Sequence, residues 1–354
     1  MKIAIINDTH FGARADSQIF LDYFLEFFEA QFIPYLKENG INRVLHLGDF
    51  MDRRKFVNFQ TLNQTRERLM EVLYKENIQV DCLLGNHDTF FRNTNSINSL
   101  RELFGNRYTN FTVHEEPVEL NFGDYTIAMI PWINKENRDT TFEFLESTTA
   151  NMVCGHFELN GYEVMPGMKF DGGMSDKALK RFEIVLSGHF HSKHTGDAVT
   201  YLGTQYQITF SDLHQKKGFH VFDTETRTLE FIENPRRMFY ALEYDDKNAE
   251  LTETLLHSDF KSYENAYIKV FVKNKTKPYT FDRFLDKLYD VSVANITLVE
   301  EVDHIDELNE EDVLDMAQDT VTLIGNEIDA MEDIDNPGKL KQIIRDLYME
   351  ALSQ

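Results

Sequence analysis

The 354-residue sequence predicts an α/β fold: a largely parallel sheet covered by helices, then a small α/β unit and terminal helices. Three observations carry this prediction. Continuous apolar runs recur, as in strands buried on both faces. Helical periodicity fills the first intervals between them. Each run also stops abruptly at a polar side chain, as strands do where their carboxyl ends open on a crevice.

The elements follow in order. IAIIND (3–8) is the first strand. In residues 16–38, Ile19, Phe20, Tyr23, Phe24, Phe27 and Phe28 keep helical spacing, and Gly40 closes the helix. VLHLGD (44–49) is the second strand, 59–77 the second helix, and VDCLLGN (80–86) the third strand. A helix near 138–148 precedes NMVCGH (151–156), and IVLSGH (184–189) is the fifth strand. Between 201 and 233, short runs such as GFHVFDTETRTLEFIE predict hairpins. A second unit begins after Asn234-Pro235, with YIKVFVK (267–273), a helix at 280–289 and NITLVEE (295–301). An acidic stretch comes next, and Asn336-Pro337-Gly338 separates it from a final helix. The expected domains are therefore 1–235, 236–300 and 301–354.

The formal charge of −24 argues against a chain that coats nucleic acid by bulk electrostatics. The charge is uneven, however. Residues 300–335 hold fifteen Asp or Glu and no Lys or Arg, which leaves −9 for the rest and room for a local basic site. No apolar run approaches the roughly 20 residues of a membrane span. The N-terminus turns acidic after five residues, unlike a secretory signal. Cys82 and Cys154 sit in apolar runs as reduced thiols do, so a cytoplasmic setting is expected.

The segment GHFHSKH (188–194) poses a choice between a pH sensor, a chance surface cluster and a metal site. The strand ends decide it. Asp8 with His10, Asp49 with Asp52, Asn86 with His87 and Asp88, His156, and His189 with His191 all converge on one crevice. Singly, each has a structural reading as a helix cap, a turn residue or a satisfied core histidine. Five strands ending in metal-competent residues point to a metal site. Carboxylates with neutral imidazoles suit manganese, iron or zinc, and the absence of cysteine argues against a structural zinc. The donors exceed what one ion needs. Two ions about 3.5–4 Å apart, bridged by a carboxylate, would clamp the attacking and leaving oxygens of a phosphate ester. His194 falls outside this pattern and reads as a surface or substrate-contacting residue.

In this order, D8-T-H10, G48-D49-F-M-D52, G85-N86-H87-D88, G155-H156 and G188-H189-F-H191 resemble the signature of calcineurin-like metallophosphoesterases. Within that superfamily the chain is most similar to SbcD-type recombination nucleases. Its small cap and acidic tail resemble the form found in T-even-type bacteriophages. The resemblance implies a β-sandwich flanked by helices, with a small α/β capping domain and C-terminal helices. It implies that Asp8, His10 and His191 hold one ion, that Asn86, His156 and His189 hold the other, and that Asp49 bridges them. It makes His87 the catalytic imidazole and Asp52 the carboxylate that orients it. Some nuclease relatives carry histidine where Asp52 stands, so this motif is nearer the phosphatase form. Manganese, with magnesium as alternative, is the expected metal.

The motifs also fit phosphoprotein phosphatases and small-nucleotide phosphodiesterases. Three features favour DNA. Arg53-Arg54-Lys55 follow Asp52 and would contact phosphates at the rim of the crevice. The loop Gly203-Thr204-Gln205-Tyr206 and the pair Lys216-Lys217 resemble DNA-facing segments of the SbcD type. Finally, Leu340, Ile343, Ile344, Leu347, Tyr348 and Ala351 form an apolar stripe, and Val313, Ala317, Val321, Ile324 and Ile328 another. Such stripes pack on their own domain or on a partner. The resemblance implies a coiled-coil ATPase of the SMC type as that partner, a homodimer through helices near 59–104, 3′-to-5′ exonuclease on duplex DNA and endonuclease on single strands. A non-catalytic binding module would not need all seven donors and His87.

Overall fold

The computed structural model describes residues 1–300 apart from 106 and 166; the acidic stretch and both apolar stripes lie outside the described residues. Two compact units are present. The first comprises 1–208 and 214–237, the second 209–213 and, among the described residues, 238–300.

Strands are numbered along the chain. The first unit begins with β1 (Lys2–Ile6), β2 (Arg43–His46), β3 (Gln79–Leu83), β4 (Phe111–His114), β5 (Val118–Phe122), β6 (Tyr125–Ile130) and β7 (Met152–Gly155). It continues with β8 (Glu163–Met165), β9 (Met168–Lys169), β10 (Ile184–Ser187), β11 (His194–Thr195), β12 (Thr200–Tyr201), β13 (Gly218–Asp223) and β14 (Thr228–Glu233). One six-stranded sheet orders β14-β13-β1-β2-β3-β4, the other β11-β12-β10-β7-β6-β5, and β8-β9 form a ribbon. β1 to β4 are parallel, as are β6, β7, β10 and β12, while β13, β14, β5 and β11 pair antiparallel.

The one largely parallel sheet expected from strand–helix alternation is thus two mixed sheets packed face to face, the β-sandwich that the family resemblance implies. The reason is physical. A strand buried on both faces carries the same apolar run whether a helix or a second sheet covers it. Alternate residues Ile3, Ile5, Leu45, Leu47 and Leu83 of one sheet meet Ile127, Met129, Met152, Cys154 and Leu186 of the other.

The outer face of the first sheet lies under the aromatic helix. Gln18–Phe27 runs through one π turn (Phe28–Phe32) into Ile33–Glu38. Phe24, Phe27, Phe28 and Phe32 are fully buried. Phe24 stacks on Tyr206 at 4.1 Å, and Phe32 meets Phe219 edge-on at 4.9 Å. Each such ring contributes roughly 1.5–3 kcal/mol by burial alone. On the second sheet, Leu145 of the helix Arg138–Ser147 packs with Val153, Val185 and Tyr201.

In the second unit β15 (Phe239–Asp245), β16 (Tyr267–Asn274) and β17 (Asn295–Glu300) form a parallel sheet. Helices Ala249–His257 and Pro278–Asp290 accompany it, and Tyr244, Val270, Phe281 and Phe284 share its core. No helix among the described residues is long and apolar enough to cross a membrane.

One interior residue makes stability depend on pH. His220 on β13 lies on the same strand face as the core residue Phe222 and is 2 % exposed. Burial, and then Lys193, pull its pKa down to about 3. The folded state therefore refuses a proton that the unfolded chain accepts below about 6.5, and stability falls as pH drops from there toward 3. Between pH 7.5 and pH 5, His220→Phe should lose about 2 kcal/mol less than the parent chain. Urea titrations at the two pH values measure this; equal losses would reject it.

Candidate metal centre

The carboxyl ends of β1, β2 and β3 from one sheet and of β7 and β10 from the other deliver the polar residues to one place. Backbone pairing fixes the loops. Asp8 N–H donates to Gly48 O at 2.9 Å, His10 N–H to Asp49 O at 3.1 Å and Phe11 N–H to Phe50 O at 3.0 Å. The His87 N–H donates to Asp49 Oδ1 at 2.7 Å, and the His189 N–H to the Asp8 carboxylate at 3.0–3.1 Å. Behind them Asp88 ties two loops together by accepting from Gly85, Phe50 and Met51 N–H at 2.9–3.1 Å. Burial and the Asp49 charge raise Asp88 to about 7, partly offset by those N–H groups.

Four of the converging residues have left-handed backbone: Asp8 (φ 49°), His10 (46°), Asp49 (53°) and His189 (85°). Side chains other than glycine cost about 1–2 kcal/mol each there, which is typical of functional sites. Glycines make the room. At Gly48 (φ 93°) a Cβ would come within 2.7 Å of Gly85 N and His156 Nδ1, and at Gly85 it would collide with Asp49.

Among the described residues two donor groups hold the expected ligands, Asp8, His10 and His191, and Asp49, His156 and His189; a third, His10 with Asp52 and His87, overlaps the first. Asn86 joins the second group, with its Oδ1 3.1 Å from His156 Nε2 and 3.0 Å from His189 Nδ1. His156 Nδ1–H donates to the Leu47 carbonyl at 2.8 Å, so a neutral ring turns its Nε2 lone pair toward Asn86 Oδ1 and toward Asp49 Oδ2, 3.4 Å away. His10 Nε2 and His191 Nε2 likewise approach to 3.1 Å. Lone pairs so placed need a proton or a cation between them. The donors present therefore fit divalent ions.

The electrostatics agree. Burial alone would strip the protons from His10 and His156. Asp52, Asp49 and Asp8 reverse that for His10, and Asp49 and Asp8 for His156, so that each rises to about 9. Burial tends to raise Asp49, but His156, His87 and His10 hold its carboxyl well below the usual range. Burial, with His10 and Lys217, pushes His191 well below the usual imidazole range.

Other expected residues take different positions. Asp52 meets His87 through its backbone, not its carboxylate: His87 Nδ1–H donates to Asp52 O at 2.6 Å, while Asp52 Oδ1 lies 3.3 Å from His10 Nδ1. Arg53 is exposed and paired with Asp16 at 3.3 Å. Lys55 is exposed and Arg54 half-buried on the same loop. Lys216 is exposed and paired with Glu233 at 2.9 Å. Lys217 is buried, donating to His191 O at 2.8 Å and Gln215 Oε1 at 3.0 Å, and so supports the loop of His191 instead of facing a ligand.

The loop Gly203–Tyr206 is buried as well. Its Gly203 O accepts from Asn7, and Tyr206 OH donates to Thr9 O at 2.7 Å. His194 is half-buried. It stacks on Tyr201 at 4.9 Å and accepts from Glu163 N–H. Three neighbours had no signal in the sequence. Trp132 lies 5.5 Å from the His189 ring, Glu158 Oε1 lies 3.5 Å from His189 Nε2, and His46 Nε2–H donates to Thr9 Oγ1 at 3.0 Å. The last tautomer follows because Thr9 spends its one hydrogen on Phe50 O.

Comparison with known proteins bears on this centre. The chain is 31% identical to "Exonuclease subunit 1" of Enterobacteria phage T4 over 354 residues, 99% of either chain. A solved structure described as a novel archaeal phosphodiesterase overlaps at a TM-score of 0.32 and 14% identity, over 66% of this chain and all of that one, too loosely to bear on the fold. The pattern of the calcineurin-like phosphoesterases matches residues 1–193, which hold all seven donors and His87. The chain belongs to the calcineurin-like phosphoesterase family, whose members use divalent metals.

Proposed function

We propose that the chain hydrolyses DNA phosphodiesters with two divalent ions, manganese or magnesium, as the nuclease subunit of a recombination complex. The observation that carries this reading is the donor set. Asp8, His10 and His191 would hold one ion and Asn86, His156 and His189 the other, and Asp49, whose Oδ2 lies 3.8 Å from His10 Nε2 and 3.4 Å from His156 Nε2, would serve both. Bound ions lower the pKa of water toward neutrality and neutralise the transferring phosphoryl group. The chain's own residues then align and protonate. His87 has committed Nδ1 to the Asp52 carbonyl, so Nε2 is the atom that serves the leaving oxygen.

DNA as substrate rests on the name of the phage relative and on the rim cations Arg53, Arg54 and Lys55. The activities are 3′-to-5′ exonuclease on duplex and endonuclease on single strands. A phosphatase reading has one feature in its favour, the Asp52-Arg53 pair of the second motif. A labelled duplex and a phosphopeptide, each with manganese, separate the two. DNA cleavage with an untouched peptide is expected; the reverse outcome assigns the chain to the phosphatases.

The partner is an SMC-type coiled-coil ATPase, which the apolar stripes beyond residue 300 would dock. Deleting 301–354 should abolish ATPase capture in a pull-down while hydrolysis of bis(p-nitrophenyl) phosphate continues; capture by the truncated chain would reject this. A homodimer through the 59–104 region suits the exposed Phe59 and Tyr74.

A further inference from the structure

The two donor groups differ in charge. Asp8 belongs to the first group, and a second carboxylate stands behind that group, with Asp52 Oδ1 3.3 Å from His10 Nδ1. The other group offers an amide oxygen and two imidazoles, and Asp49 lies within reach of both groups. As ligands, Asn86, His156 and His189 bring no charge of their own. A divalent ion beside neutral donors is held less firmly than one beside carboxylates.

Each imidazole also has to present one nitrogen to the ion. His156 gives Nδ1–H to the Leu47 carbonyl and turns Nε2 inward. His189 does the reverse. Its Nδ1 faces Asn86 Oδ1 at 3.0 Å, and its Nε2 lies 3.5 Å from Glu158 Oε1. Among the described residues no other carboxylate pairs with the His189 imidazole. Trp132 at 5.5 Å and Phe190 at 5.0 Å, between ring centres, wedge this imidazole in place. Packing sets where the ring lies but does not choose which nitrogen carries the proton.

Resting on the two-ion reading above, we propose that Glu158 is the positioning residue of the second ion. Its carboxylate accepts Nε2–H of His189 and so leaves the Nδ1 lone pair for the ion. It also adds the negative charge that the neutral donors lack. Asp52 behind His10 and Glu158 behind His189 then form a matched pair, one carboxylate behind an imidazole in each group. Glu158 reaches the ion only through His189, so it governs how tightly that ion is held.

Manganese titrations of the metal-free, full-length chain read the two affinities without any turnover. Calorimetry and the EPR signal of free manganese follow the binding. Glu158→Ala should bind one manganese as the parent does and the other about 10- to 100-fold more weakly. Glu158→Gln keeps an acceptor oxygen but not the charge, and its second affinity should fall between those of Glu158→Ala and the parent. In hydrolysis of bis(p-nitrophenyl) phosphate, the manganese concentration for half-maximal rate should rise by the same factors. Equal affinities in the parent and Glu158→Ala would overturn the role of Glu158 alone. A loss shared equally by both ions would overturn it too, by making Glu158 a general support of the loop. A parent chain that binds a single manganese would overturn the two-ion reading and this inference together. The Glu158 side chain is 37 % exposed, and the loop is tied by its backbone oxygen, which accepts from Met174 N–H at 2.9 Å and which alanine keeps. The variants should therefore fold.

Discussion

His87→Ala is expected to lower kcat for manganese-dependent phosphodiester hydrolysis about 10³-fold while leaving metal content at the parent level. The imidazole is set beside the donors and is not among the seven. Its Nδ1 hydrogen bond to Asp52 O aims Nε2 outward, and its backbone N–H, which alanine keeps, supplies the bond to Asp49 Oδ1. Stopped assays on bis(p-nitrophenyl) phosphate and on a labelled duplex, with metal analysis of the same preparations, measure both quantities. A loss of metal in step with activity would instead make His87 part of the metal-holding set.

Gly85→Ala should be nearly as severe, by a different route. A Cβ at Gly85 would overlap the Asp49 carboxylate and backbone N, so the residue between the two donor groups must move. Misplacement by about 1 Å commonly costs 10²-fold in rate. Metal content should fall as well. Gly123→Ala is the matched control. Gly123 has positive φ (69°), which Gly85 does not, but open space around it, so alanine there should cost about 1 kcal/mol of stability and leave activity intact. Parent-like metal content and rate in Gly85→Ala would show that the loop can yield.

What the sequence disclosed follows from how each feature is encoded. The donors were legible because each follows an apolar strand directly, so local order carries the information. The division into two sheets was legible only through the family resemblance, since burial on both faces does not say what covers each face. Lys216 and Lys217 look alike as a pair, yet adjacent residues leaving the turn into β13 point opposite ways, one to solvent and one beneath His191. Trp132 and Glu158 come from irregular segments, where no periodicity marks a residue as near the centre. Asp52 illustrates a subtler limit: motif spacing predicts proximity to His87, but not that the backbone carbonyl makes the contact.

The centre draws donors from both halves of the sandwich, His10 from the first sheet and His191 from the second, 181 positions apart. Ions held there would act as removable cross-links. Closing a loop that long restricts the unfolded chain by on the order of 5 kcal/mol in the chain-entropy view used for disulfides. A chelator would then do more than stop the reaction: it would unbuckle the clasp between the two sheets.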